Sequence, residues 1–280
     1  MDTEEVFRVL ESDSYFEKEA RRVTSIEIDQ ARIMERHYKA ARKRVMERLS
    51  RLNFRDEFNR ANLIYVMQAI DEELASLAEI TGREAEFSSE ILMDEGRDDL
   101  IQELGRLEEK FTGVARLYPY EAVEVAYQSD NYLIERYKSS LKNYNVSTRT
   151  RVQQQVANAV IERKYNYEVV QAVGGVLDSE EWKVRRIVRT ELANIYSLSK
   201  LNSMMRVRDE TAPDMMKTIY NPMDARTGED SKYLEKMKMI IPLEDDFEFT
   251  YKGVEYSFSA PPNRPNDRGV LVPILKHWTE

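Results

Sequence analysis

The sequence predicts a mainly α-helical chain that closes in a small C-terminal α+β domain: a helical bundle, then a short antiparallel sheet with an aromatic hairpin. Three observations carry this prediction. Of eight prolines only Pro119 precedes Pro213, so residues 1 to about 210 can be nearly continuous helix and residues 213–280 cannot. Apolar residues in the first part recur at steps of three and four. In the last seventy residues, short runs alternate with period two instead.

Taken in order, Ala31, Met34, Tyr38, Ala41, Val45, Leu49 and Leu52 form one apolar helical stripe, and Leu63, Met67, Ile70, Leu74 and Leu77 repeat it. In "NVSTRTRVQQQVANAVIERK", Ser147 or Thr148 is the expected N-cap of a helix carrying Val152, Val156 and Val160. Gly174-Gly175 is expected to break the chain, and Asp178 or Ser179 to cap a further helix that sends Val184, Val188, Leu192, Ile195 and Leu198 inward. "KTIY", "MKMIIP" and "GVLVPI" read as strands, and "FEFTYKGVEYSF" as a hairpin turning at Lys252-Gly253. "APPNRPNDRG" reads as an extended loop. By character the chain divides into residues 1–145, 146–212 and 213–280.

Composition narrows the function. Hydrophobic residues make up 42 % and charged residues 33 % of the chain, enough for a core under a highly charged surface. A net charge of −9 argues against the whole chain coating nucleic acid, though not against a local basic face. With no cysteine and only His37 and His277, disulfides and Cys-ligated metal centres are excluded and a His-rich metal site is not expected; no cofactor is called for. No apolar run approaches the ~20 residues that span a bilayer. The acidic N-terminus lacks a signal-peptide core, so we expect a soluble protein made inside a cell, used there or in a particle assembled there, with no membrane partner.

The most distinctive stretches are "VRRIVRTELANIYSLSKLNSM", with Arg189-Thr190-Glu191, then "DARTGEDSKYL", with Asp224-x-Arg226-Thr227, then the aromatic hairpin and "PPNRPNDRGVLVP". In order and spacing, residues 147 to 273 resemble the phage Mu F-like family of head morphogenesis proteins, the minor head (minor capsid) proteins of tailed phages. The resemblance implies a place in the virion, at the portal vertex or inside the head, and a role in assembly, DNA packaging or genome delivery without an established catalytic activity. The partners it implies are the portal protein, the major capsid protein or scaffold, and packaged DNA. Many members carry a His or Cys four residues after the Thr, and a His and Cys pair in the closing loop. The corresponding positions here are Ser231, Arg264, Asp267 and Gly269, so any metal or covalent clamp those residues form in the family is missing from this chain.

Read from the residues themselves, Asp224 and Thr227 suit hydrogen bonds within their own turn. Arg226 offers a planar fork to a carboxylate, with Glu191 as its candidate partner, and Arg189 is a candidate partner for Asp224. We favour this structural reading. The alternative is an enzyme, a transferase or nuclease, using Arg189, Glu191, Asp224 and Arg226 at a phosphate or nucleotide; no Gly-rich phosphate loop supports it, and His37 and His277 look too isolated to serve as a base. A third reading is a DNA-binding protein. Arg36, Lys39, Arg42, Lys43, Arg44, Arg48 and Arg51 face only Glu47 within their stretch, which makes a candidate DNA or portal contact or, more simply, a face paired with acidic neighbours. Lys183, Arg185, Arg186 and Arg189 raise the same question. Tyr118, Tyr120, Tyr127, Tyr132, Tyr137 and Tyr144 suit helix packing, with some at a partner interface.

Overall fold

A computed structural model of the chain describes residues 3–51, 60–114, 124, 126, 130–162, 166–225, 227–262 and 267–278. It is mainly helical, with two small antiparallel sheets near the C-terminus. The helices are α1 (Thr3–Ser12), α2 (Ser14–Ser50), α3 (Arg60–Thr112), α4 (Asn131–Ile161), α5 (Asn166–Thr211) and α6 (Glu229–Met237). The strands are β1 (Met215–Tyr220), β2 (Ile241–Pro242), β3 (Phe247–Tyr251), β4 (Val254–Phe258) and β5 (Val270–Leu275), followed by a short 3-10 turn, Lys276–Trp278.

Sequence character divides the chain by proline and motif, whereas compactness divides it otherwise. Residues 1–27, 89–133 and 189–280 form one unit, and residues 28–88 and 134–188 a second. Uninterrupted helices explain the difference, because α2, α3 and α5 each give a segment to both units.

In the first unit α2 runs antiparallel to α3, as the pairs Asp13–Arg106 and Arg22–Asp99 show, while α3 and α5 run parallel, with Asp99 at Tyr196 and Glu103 at Lys200. Asp13 separates α1 from α2 and accepts the Tyr15 N–H at 3.0 Å, supplying a helix start the sequence reading did not identify. β1 is the middle strand of the sheet β2-β1-β5 and pairs with β5 from Met215↔Leu275 to Tyr220↔Val270. Pro273 is tolerated because β5 lies at the sheet edge. The β3–β4 hairpin turns at Lys252 and Gly253, with φ of 50° and 79°, the paired positive values of a type I′ turn. Its aromatic face is built by Phe249 stacked on Tyr256 at 4.6 Å. "MKMIIP" is only partly a strand: Met237 ends α6, Lys238 turns with φ of 51°, and only Ile241–Pro242 pairs with β1. Trp278 stacks on Phe111 at 5.1 Å and donates to Glu108 at 2.8 Å, which ties the end of the sheet to α3.

In the second unit, segments of α2, α3, α4 and α5 run alternately up and down, as Arg44–Glu73 with His37–Glu84, Asn145–Thr81 with Arg149–Asp71, and Arg42–Asp178 with Arg185–Glu35 show. Ala31, Met34, Tyr38, Ala41, Val45 and Leu49 are buried as the stripe requires, as are Ile70, Leu74, Leu77, Val152 and Val156. Leu52 and the side chains of Leu63 and Val160 lie outside the described residues. Two expected helix boundaries are corrected. Ser147 and Thr148 sit inside α4, and Thr148 is buried. The helix also passes straight through Gly174-Gly175, so Asp178 and Ser179 do not start one. A Cβ at Gly174 would stand 2.9 Å from the end of Met46, so the glycine lets α2 approach closely, a packing gain that outweighs its poor helix propensity.

Candidate functional site

The Asp224 turn and the closing loop meet in the first unit. Asp224 Oδ1 accepts the Thr227 N–H at 3.2 Å and lies 3.3 Å from the Thr227 hydroxyl, whose proton goes to the Pro222 carbonyl. The other Asp224 oxygen, Oδ2, accepts from Arg268 Nη1 at 2.5 Å. One residue before Arg268, Asp267 Oδ1 accepts both the Ser231 hydroxyl and the Arg268 N–H, each at 2.9 Å. Ser231 and Asp267, two positions singled out by the resemblance, are therefore in contact. At Gly269 a Cβ would lie 2.8 Å from Asn221 Oδ1, which keeps that third position small. Asn221 donates its N–H to Glu235 on α6 at 2.6 Å.

Arg189, on α5, has Glu27 of α2 at 3.9 Å. Burial pushes the Glu27 carboxyl up to about 8; Asp267 adds to the rise, and Arg189 and Arg268 oppose it. Burial likewise pushes Glu235 up to about 7 against the bonds from Asn221. Thr190 and Glu191 are half-buried on α5, and Arg226 and Arg264 lie outside the described residues. Asp224 thus meets Arg268, and Arg189 lies near Glu27, two neighbours that local sequence does not single out. Their only advance signal was that Arg268 adjoins Asp267; nothing local marks Glu27. Chemically the arrangement is a clamp. Its carboxylates are engaged by arginine or backbone N–H groups, Ser231 faces a carboxylate rather than an imidazole, and among the described residues no group of His, Asp and Glu could hold a metal ion.

Both histidines have partners, contrary to the expectation that they are isolated. His277 Nδ1 lies 2.9 Å from Asp214 and its Nε2 3.4 Å from Glu108; His37 has Glu84 at 3.8 Å. Neither array includes a nucleophile. Of the tyrosines, Tyr137 is buried and Tyr144 packs on Tyr38 at 6.0 Å, while Tyr132 is exposed and its hydroxyl accepts from Asn202. Tyr118, Tyr120 and Tyr127 lie outside the described residues.

A second charged array, which no local pattern announces, lies inside the helical core of the first unit. The Lys200 ammonium is fully buried between Glu19 at 2.9 Å and Glu103 at 2.6 Å. The Tyr196 hydroxyl lies 2.5 Å from both Glu19 and Asp99, its one proton shared between them, and Arg22 grips both Asp99 oxygens at 2.5 and 2.6 Å. Burial and the neighbouring Glu19 raise Glu103 well above the usual carboxylate range. Burial also opposes ionisation of Glu19, but Lys200 and the proton on Glu103 outweigh it and lower its pKa. One oxygen of each glutamate is buried without a conventional donor, a need met by a proton on Glu103 donated to Glu19.

The basic face of α2 is largely engaged within its own unit. Arg44 and Arg48 reach Glu73 at 2.5 and 2.8 Å, Arg42 reaches Asp178 at 2.8 Å, Lys39 reaches Glu35 at 2.5 Å and Lys43 reaches Glu47 at 3.9 Å. Arg36 has no carboxylate partner among the described residues; Arg51 follows the helix end. Among the described residues no helix is long and apolar enough to cross a membrane. No family model, curated protein or solved structure matches the chain.

Proposed function

We propose that this chain is a structural protein of a phage head, a minor capsid or head morphogenesis protein whose C-terminal half resembles the Mu F-like family. It acts by recognition rather than chemistry. Its helical surfaces dock at the portal vertex or on the inner capsid, against the portal protein, the major capsid protein or a scaffold, and so assist head assembly, DNA packaging or genome delivery. The observation that carries the reading is the meeting of the Asp224-x-Arg-Thr turn with the closing Pro-rich loop through Asp224–Arg268 and Ser231–Asp267. The two stretches on which the resemblance rests thereby meet beside Arg189 and Glu27, and the Ser231–Asp267 pair stands at two positions where many members of that family carry His or Cys.

Co-expression with a portal protein from the same genome tests the proposal. A complex of defined stoichiometry on size exclusion is expected. A chain that elutes alone, with the portal assembled in the same sample, would remove the proposal.

A further inference from the structure

Two shallow grooves run end to end along α2 of the second unit. The first, of about 600 Å³, is lined by Arg32, Arg36, Lys39 and Arg185 together with Asp29 and Glu35. The second, of about 570 Å³, shares Lys39 and continues with Arg42, Lys43 and Glu47. Together they carry six cations and three carboxylates, an excess of three positive charges on a chain of net charge −9.

The arrangement differs from the uniform basic stripe of the sequence. Arg44 and Arg48 are drawn to Glu73, so the track consists of Arg32, Arg36, Lys39 and Lys43, spaced four, three and four residues apart on α2, with Arg185 added from α5. Eleven residues of helix cover about 16 Å, the length of about five phosphates of one strand at ~3.4 Å per step. Glu35 organises the centre by holding Lys39 at 2.5 Å and also Arg185; those hydrogen bonds, Lys39 first, lower its pKa. Arg32–Asp29 and Lys43–Glu47 are exposed pairs within one helix, weak in water and screened by salt, so an incoming phosphate exchanges for them at little cost. Arg36 needs no exchange. Trp182, three residues before Arg185 and so on the same side of α5, is exposed and flanked by the Arg186 guanidinium at 5.9 Å.

We propose that this groove is a track for the phosphodiester backbone of nucleic acid, carried by Arg32, Arg36, Lys39, Lys43 and Arg185. Cations at regular helical intervals suit a polyanion of regular charge spacing. The inference deepens the head-protein reading, since packaged DNA is among its partners, but the two are tested apart.

Fluorescence anisotropy of the full chain with a labelled 20-base-pair duplex, and with one of its single strands, is the test. With about five phosphate contacts, raising NaCl from ~50 to ~200 mM weakens duplex binding roughly 10²- to 10³-fold. The variant Arg36→Ala/Lys39→Ala/Lys43→Ala should reduce the logarithmic salt slope from about −4.5 to about −2, while Lys236→Ala/Lys252→Ala in the first unit leaves it unchanged. Tighter binding of the single strand, lost in Trp182→Ala, would identify single-stranded nucleic acid as the ligand and also support the track. Absence of binding at ~50 mM salt, an unchanged slope in the triple variant with its circular dichroism intact, or equal competition by polyglutamate at matched charge would each overturn the proposal. Portal co-purification of the same samples separates the readings. Portal binding without nucleic-acid binding removes the track alone, and the converse removes the docking proposal alone.

Discussion

Replacing Lys200 with methionine strikes the core of the first unit at its most charged point. The ammonium is fully buried, 2.9 Å from Glu19 and 2.6 Å from Glu103. Lys200→Met keeps the apolar stem and removes the charge, leaving two glutamates offset only by the proton they share and the Tyr196 hydroxyl beside Glu19. Breaking a buried ion pair from one side costs about 3–5 kcal/mol, because the partner charge is left uncompensated. For a chain of this size each kcal/mol shifts the melting temperature by about 2–4 °C, so a fall of roughly 6–20 °C is expected. The triple variant Lys200→Met/Glu19→Met/Glu103→Met should recover most of it, since a whole buried network replaced by apolar groups is neutral or more stable by about 1–4 kcal/mol. Glu103→Gln should lose less than Lys200→Met, because its amide still donates to Glu19 and its carbonyl still accepts from Lys200. The two tryptophans make the assay specific: Trp278 is buried in the first unit and Trp182 exposed in the second. In a Trp182→Phe background, urea unfolding followed by tryptophan emission therefore reports the first unit. A Lys200→Met protein within 1 kcal/mol of its parent, or a triple variant no better than the single one, would refute the account of a dry, mutually compensated network.

Three further outcomes follow from single groups. Glu27 and Glu235 hold protons up to about pH 8 and 7 in the folded chain but only to 4.5 when unfolded, so their contribution is fully present below 4.5 and is lost as pH rises; Glu235→Gln should flatten the part of a stability–pH curve between 4.5 and 7. Lys217 is buried, donates to the carbonyls of Leu243 and Ser259 at 2.9 and 2.8 Å, and is held by burial down to about 8 against 10.5 unfolded. Stability should therefore rise between pH 8 and 10.5, and Lys217→Met should abolish that rise in chemical denaturation series. Gly175→Ala meets nothing within 4 Å and should stabilise α5 by about 1 kcal/mol in thermal melts, whereas Gly96→Ala would set a methyl 2.8 Å from the Tyr196 carbonyl and should destabilise.

The parts of this fold legible in the sequence are those whose cause is local and periodic. The Ala31–Leu49 stripe is buried because a helix repeats every 3.6 residues, and the hairpin turns at Lys252-Gly253 because positive φ at both positions favours such a pair. Gly174-Gly175 misleads because its helix penalty is local, about 1 kcal/mol per glycine, while the reward is contact with Met46 from far along the chain. The charged core was invisible for the same reason. Glu19 and Lys200 stand 181 residues apart, each in a stretch whose charges look like an ordinary solvated face.

The same distinction governs the candidate clamp. Its near half was readable: an Asp followed three residues later by Thr closes its own turn, and Asp224 does so. Its far half depends on where the closing loop returns, and there Arg268 takes Asp224 while Asp267 takes Ser231. Among the described residues the two stretches are joined by the Asp224–Arg268 ion pair and the Ser231–Asp267 hydrogen bond. Asp267→Ala removes the acceptor of both the Ser231 hydroxyl and the Arg268 N–H, while the Asp224 turn keeps its own bond from the Thr227 N–H. Loosening in this variant should therefore begin at the 267–269 loop and leave Arg189 on its helix. Hydrogen exchange is expected to show early loss of protection at Arg268, ahead of the α5 amides around Arg189, and unchanged protection at Arg268 would refute the clamp.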